Sequence, residues 1–302
     1  MGAMATQRWT EADIVDQTGR TFVVTGANSG LGLQSTKALT AAGARVIMAC
    51  RNIEKAEAAR EELPADSRRL AEVHELDLGD LRSVDSFVSG IEDRGVDVLI
   101  NNAGVMDVPL GRTEQGFEQQ FGVNVLGHFA LTAELEHKIT DRVVWLGSLM
   151  HQLGWINLDD LNYERRSYNS WLAYGQSKLA CVMLAYEQQR RFVREGSSLR
   201  AVVAHPGYSA TNLQTHSGNP VVRQIMKLGN SLPLIAQPPN RGALPELYAA
   251  TAPDLPGGWY IGPDGPGEVQ GFPRPVASNK RSYDVGVAEK LWEACAELVE
   301  RR

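Results

Sequence analysis

Short runs of aliphatic and β-branched residues alternate along this chain with longer stretches in which apolar positions recur every three to four residues. The short runs, at residues 20–25, 44–49, 70–76, 96–100, 142–146 and 200–204, predict six strands, and residues 258–261 a last one. Between them, helical periods are predicted at 31–39, 54–62 with Pro64 closing it, from Leu81 onward, at 113–131, at 171–195, at 221–235 and 241–251, and at 285–299. The fourth run, 96–100, reads as the buried kind, as strands are when helices cover both faces of a parallel sheet. Strand and helix taking turns in this way predict the α/β class: a doubly wound parallel sheet of about seven strands in three α/β/α layers, with ligands at the carboxyl ends of the strands.

Composition narrows the reading. A chain of 302 residues, 43% hydrophobic and 22% charged, fits one domain over 1–302. Residues 1–18 read as an N-terminal extension, 208–252 as helices forming a lid over the substrate, and 285–301 as a closing helix. The net charge of −6 and the absence of basic clusters exclude nucleic acid and an anionic membrane surface as main partners. Cys50, Cys181 and Cys295 are far apart, with neither zinc-site spacing nor disulfide density, which suits a reducing cytoplasm. No run of about 18 apolar residues predicts a membrane span. The opening Met-Gly-Ala-Met-Ala-Thr matches a myristoylation pattern and reads as a cloning scar before Met4.

The candidate chemistry sits at strand ends. Thr25-Gly-Ala-Asn-Ser-Gly-Leu-Gly32 joins the first strand to its helix, with Gly26 for a tight turn, Gly30 for close approach to a pyrophosphate and Gly32 for helix packing. At the end of the second strand Cys50 stands where an acid would read a ribose, and Arg51 follows with a guanidinium suited to a 2′-phosphate. That points to NADP(H), with NAD(H) second. Asp77, just past the third strand, either accepts from an adenine amino group or belongs to the cap of the next helix. The fourth strand breaks into Asn101-Asn102-Ala103-Gly104, small residues beside a flat ligand. Asn124 lies inside a helical period, where its amide competes with the backbone, so a bent helix or a bound water is expected. His128 and His137 lack ligand spacing and read as ordinary helix residues. Ser148 ends the fifth strand, and His151 follows in a loop as a substrate contact or a plain polar residue. His205-Pro206-Gly207-Tyr208, with Thr211 after it, lies beyond the sixth strand, and Leu213, Ile225, Met226 and Leu228 offer an apolar wall.

Tyr174 and Lys178 stand four residues apart on a predicted helix, hence about one turn apart on one face. A fixed ammonium there lowers the phenol's affinity for its proton and prepares it for acid and base work. Cys181, on nearly the same face, reads as core packing.

Taken together and in order, Thr25-Gly26 with Gly30-Leu31-Gly32, Asn101-Asn102-Ala103-Gly104, Ser148, and Tyr174 with Lys178 resemble the short-chain dehydrogenase/reductase family over essentially the whole chain, with its Rossmann-type fold. Residues 49–51, 116–124 and 173–180 are similar to its retinol dehydrogenase-like branch, including the WW-domain oxidoreductase relatives. Val125 and Cys181 stand where that branch has His and Asn, and no membrane anchor is expected. The resemblance implies that Tyr174 exchanges a proton with the substrate oxygen, Ser148 holds that oxygen, Lys178 binds the nicotinamide ribose, and Asn124 holds a relay water. It implies a pyrophosphate on Asn28, Ser29 and Leu31 beside the glycines, a 2′-phosphate on Arg51 with Asn52 alongside, and adenine on Asp77 and Leu78. Asn102, Ala103, Gly104, Pro206, Gly207 and Thr211 would line the nicotinamide end. The activity implied is an NADP(H)-dependent alcohol dehydrogenase or carbonyl reductase on a lipophilic or aromatic small molecule, as a homodimer or homotetramer. Two rivals are a catalytically silent NADP(H)-binding regulator and a nucleotide-sugar epimerase or dehydratase.

Overall fold

The computed structural model describes residues 8–208 and 237–301. Its centre is a single sheet of eight strands: β1 Thr21–Thr25, β2 Arg45–Cys50, β3 Ala71–Glu75, β4 Val96–Asn101, β5 Ile139–Leu146, β6 Arg200–Ala204, β7 Tyr260–Pro263 and β8 Pro273–Pro275. Their order is β3-β2-β1-β4-β5-β6-β7-β8. All neighbouring pairs are parallel except β7 and β8. The eighth strand corrects the expected count of about seven. Pro275 opposes Ile261 and Pro273 opposes Pro263, and prolines cannot donate to a ladder, so this short edge strand carries no apolar alternation to read.

Burial on both faces explains why the central strands are so largely apolar. Along β1, Phe22 and Val24 join one core cluster while Val23 joins the other. Helices α1 Gly30–Ala41 and α9 Leu244–Thr251 cover the first face, with α2 Ile53–Glu61, α3 Ala65–Leu70 and α8 Pro239–Gly242 at its margin. Helices α4 Leu81–Gly90, α6 His128–Leu135, α7 Ser170–Arg194 and α10 Val285–Glu300 cover the second. The strand order reverses where β1 lies between β2 and β4, which opens a crevice at their carboxyl ends.

Three helical expectations are corrected. The helix expected before Pro64 ends at Glu61, and Pro64 also stands at the N-cap of a further short helix, α3, where only a connection was expected. The period at 113–131 begins as a turn, with Gly116 at φ 83°, because the Glu118 carboxylate caps the backbone N–H groups of Gln120 (2.9 Å) and Phe121 (2.7 Å). The short helix α5 Gln119–Phe121 then widens into a π-turn at Gly122–Gly127 before α6 begins. The stretch expected at 241–251 is divided between α8 and α9, each with a proline in its first turn. The expected helix 221–235, with Thr211, Leu213, Ile225, Met226 and Leu228, lies outside the described residues. In the N-terminal extension Trp9 meets Tyr248 of α9 edge to face at 5.3 Å.

Candidate active site

The crevice between β1 and β4 is fastened by its own residues. Asn102 Nδ2 donates to Thr25 O (2.6 Å) and Ala103 N to Thr25 Oγ1 (2.9 Å), so the two strand ends are tied side by side. Gly26 has φ 66°, and a Cβ there would lie 3.1 Å from Ala103 Cβ; a Cβ on Gly32 would lie 2.6 Å from Asn102 Nδ2. Any side chain at either position would push the turn off the strand ends. At the head of α1, Ser29 gives no side-chain cap and no acid stands in the first turn. By contrast α2, α4, α7 and α10 are capped by Asn52, Asp80, Asn169 and Asp284. The first-turn N–H groups of Gly30, Leu31 and Gly32 therefore lie at a positive helix end that no acid of its own first turn neutralises, which fits a pyrophosphate.

Beside this turn Cys50 is buried, facing the N–H groups of Ala27 and Asn28, and burial pushes its thiol up to about 11. Arg51 is exposed and Asn52 is engaged as a cap, accepting from Lys55 N at 2.8 Å. Asp80 caps α4; Asp77 accepts from Gly79 N (2.8 Å), and its own N–H donates to Ser83 Oγ (2.9 Å). The capping half of the two-way reading of Asp77 thus falls to Asp80. Leu78 is buried against Gly127 of the π-turn.

On the other side of the crevice, α7 brings Tyr174 and Lys178 to the end of β5. Lys178 is 5% exposed; its Nζ donates to Leu146 O (2.9 Å) and lies 5.9 Å from the centroid of the Tyr174 ring. One helical turn separates them, as the spacing predicts. Ser148 follows two residues after Leu146, and its Oγ accepts from Met150 N (3.2 Å) at the head of a tight turn, Leu149–Leu153. That turn seats on α7 one residue from Tyr174, since a Cβ on Gly175 would lie 3.1 Å from Met150 O. His151 is buried within it, bonded through Nδ1 to Ser148 O (2.6 Å) and accepting from Asn279 N at Nε2 (3.0 Å). Burial lowers its pKa, and both ring nitrogens are engaged by groups of the chain itself.

Asn124 is fully buried in the π-turn. Its Oδ1 accepts from Val105 N (2.8 Å), and Nδ2 donates to Val105 O (3.0 Å) and Ser177 Oγ (3.0 Å). One lone pair of Oδ1 is left over. A Cβ on Gly104 would lie 3.1 Å from that oxygen and 3.7 Å from Lys178 Nζ, so both atoms border the space that a glycine leaves open. The main-chain oxygen of Asn124 meets His128 Nδ1 (3.0 Å) and Cys181 Sγ (3.3 Å). His128 is buried at the head of α6, and its ring lies between this carbonyl and Thr25 Oγ1, a pairing the sequence did not show. Cys181 is buried, and it also donates to this carbonyl.

Beyond β6, His205 is buried with Nε2 on Glu268 Oε2 (3.0 Å), a bond that holds the carboxylate below its usual range. Pro206 O accepts from Gln237 Nε2 (2.6 Å), and Gly207 turns at φ 65° against Val269. Among the described residues no group of three potential metal ligands occurs, and no helix is long and apolar enough to cross a membrane.

A profile described as short chain dehydrogenase matches residues 20–159. Human retinol dehydrogenase 13 is 40% identical over 291 residues, covering 93% of this chain and 85% of the relative. The chain belongs to the short-chain dehydrogenase/reductase family. Human retinol dehydrogenase 14 is 38% identical over 93% of this chain and 86% of its own length. A crystal structure of an uncharacterized protein from Mycobacterium paratuberculosis has a TM-score of 0.83 at 45% identity, covering 97% of this chain and 98% of that one. As a short-chain dehydrogenase/reductase of the retinol dehydrogenase-like kind, the protein is a nicotinamide-dependent oxidoreductase.

Proposed function

We propose that the protein is an NADP(H)-dependent reductase and dehydrogenase of lipophilic or aromatic carbonyl and alcohol pairs, with Tyr174 as general acid and base. The observation that carries this reading is that Lys178 Nζ sits on Leu146 O at the end of β5, one turn from Tyr174, with Ser148 two residues further along and a glycine turn without a side-chain cap heading α1. Gly26, Asn28, Ser29, Gly30, Leu31 and Gly32 would hold the pyrophosphate, Arg51 the 2′-phosphate, and Asp77 the adenine. Asn102 to Gly104 and Pro206-Gly207 would flank the nicotinamide. That ring supplies the hydride in reduction and takes it back in oxidation.

The chain's own residues handle the oxygen. Ser148 accepts through its oxygen from Met150 N, which leaves its hydroxyl proton to donate to the substrate. Tyr174 delivers its proton to that same oxygen as negative charge grows there. Lys178, pinned to Leu146 O by one N–H, keeps two for the ribose and for charge left on the phenol. A water over Gly104, between Asn124 Oδ1 and Lys178 Nζ, would return a proton to the site. Apolar substrates are suggested by the relatives' names, since retinol is an apolar alcohol.

The test is NADPH oxidation across a panel of aliphatic and aromatic aldehydes and ketones, retinal included, with Tyr174→Phe in parallel. The variant should lose roughly 10²- to 10⁴-fold in turnover while NADPH fluorescence titrates as in wild type. Turnover surviving in Tyr174→Phe would remove the tyrosine from proton transfer. A wild-type chain that binds NADPH and reduces nothing would favour the silent regulator.

A further inference from the structure

We infer that His128 is a positioning residue of this site: a neutral imidazole, protonated on Nδ1, that holds the main-chain carbonyl of Asn124 against the carboxyl end of β1. The inference rests on the roles proposed above for Asn124, Lys178 and Tyr174.

The proton positions follow from the partners. Asn124 O can only accept, so His128 Nδ1, 3.0 Å away, carries a hydrogen. Burial and the nearby charge of Lys178 keep a second proton off the ring, driving its pKa down to about 3. Nε2 is then bare, and it accepts from Thr25 Oγ1 at 2.9 Å. With its proton so used, Thr25 Oγ1 accepts in turn from Ala103 N at 2.9 Å. The result is a chain of hydrogen bonds running one way, from Ala103 N–H through Thr25 and His128 to the carbonyl of Asn124. Each member is satisfied, in a place where a missing partner would be costly.

The ring is 2% exposed and meets Trp145 edge to face at 6.4 Å, so it has no room to turn. From the other side Cys181 Sγ donates to the same carbonyl at 3.3 Å, which occupies its second lone pair. The backbone of Asn124 is thus held by two side chains within a widened helical turn that would otherwise leave it loosely placed. A fixed carbonyl fixes the direction of the side chain, and with it the stand of Oδ1 between Val105 N and the space over Gly104 that Lys178 Nζ also borders. His128 touches neither substrate nor cofactor in this arrangement. It acts through Asn124 and, through Thr25, on the strand end that carries Ala103.

Two measurements test this. Long-range proton–nitrogen spectra of the imidazole should show the neutral Nδ1–H form, unchanged from pH 5 to pH 9. An Nε2–H form, or a titration within that range, would overturn the inference. In kinetics, His128→Leu should lower kcat by roughly 10- to 100-fold, the scale of a small displacement in an active site, with NADPH affinity little changed. The factor should be the same from pH 6 to pH 9, and His128→Asn, which keeps a donor near the Nδ1 position, should recover part of it. A folded His128→Leu with wild-type kcat and only a lower melting temperature would reduce His128 to a packing residue. A loss that changed with pH would make it a proton-transfer group instead; either result overturns the inference. Should the leucine variant fail to fold, the tautomer and the asparagine variant decide. Inactivity of the wild-type chain on every carbonyl would count against the proposed function alone, and the tautomer would still decide for His128.

Discussion

Arg51 projects into solvent from the end of β2, beside a thiol in the place where an acid would stand. Because burial pushes the Cys50 thiol up to about 11, that neighbour is neutral at physiological pH and does not repel a phosphate. A guanidinium and a phosphate make charge-assisted, often bidentate bonds worth roughly 1.5–3 kcal/mol. Arg51→Ala should therefore weaken NADPH about 10- to 100-fold in fluorescence titration and leave NADH nearly unchanged. Equal losses for both cofactors would take the 2′-phosphate away from Arg51. The placing of Arg51, Tyr174 and Lys178 was legible in the sequence because it rests on local geometry: a strand end, or four residues along a helix. His128 was not, since its partner Thr25 lies 103 residues earlier and only the fold joins them. Asn124 falls between the two, flagged by its poor fit to a helix interior but without any sign that the helix would widen around it.

Among the elements, α1 and α9 make a pair whose contact includes one ionisable group. Glu246 of α9 is 2% exposed; its Oε1 accepts from Ser35 Oγ of α1 (2.6 Å), and its Oε2 is buried with no hydrogen-bond partner among the described residues. Burial raises this carboxyl from 4.5 to about 7. Below pH 4.5 folded and unfolded chains both hold the proton, and no cost arises. As pH rises from there to about 7 the unfolded chain gives up its proton first, so stability falls; above about 7 the folded chain ionises too and the cost is complete. Its full size is roughly 3 kcal/mol. Glu246→Gln keeps an acceptor for Ser35 and removes the titration, so urea unfolding should show the variant gaining on wild type by about that amount between pH 5 and pH 8. An advantage that did not grow with pH would mean that Glu246 is ionised throughout. Most strands of this sheet were readable because burial on both faces leaves runs rich in apolar residues, and β8 was hidden because its prolines and edge position ask for no such run. The short α3 was missed for a related reason: a proline that closes one helix can equally stand at the head of the next.

For the molecule as a whole, the closing helix α10 decides which surfaces remain for association. Ala288, Leu291 and Cys295 are fully buried, and Trp292 meets Phe129 of α6 edge to face at 4.8 Å with Arg191 of α7 stacked over it at 4.5 Å. Part of the apolar face of α7 is thereby covered from within the chain, while Leu172 and Val193 of the same helix stay exposed. The sequence showed that a helix ends the chain, but not which face it would cover, because a helix period marks an apolar stripe without naming its counterpart. Each large apolar side chain that α10 buries is worth roughly 1.5–3 kcal/mol, and several together approach the whole stability of an ordinary domain. A chain ending at Asp284 would present that face to water, and the cheapest remedy is to cover it with the same face of a second copy. Sedimentation of the shortened chain should therefore show concentration-dependent self-association through a surface that the intact chain does not use. The milder Leu291→Ala keeps the helix and should cost about 2–5 kcal/mol in urea unfolding while NADPH affinity holds, because the cofactor crevice lies at the strand ends and not beneath α10. A shortened chain that stayed monomeric at full stability would mean that the cover contributes nothing, and that α7 is free for a partner after all.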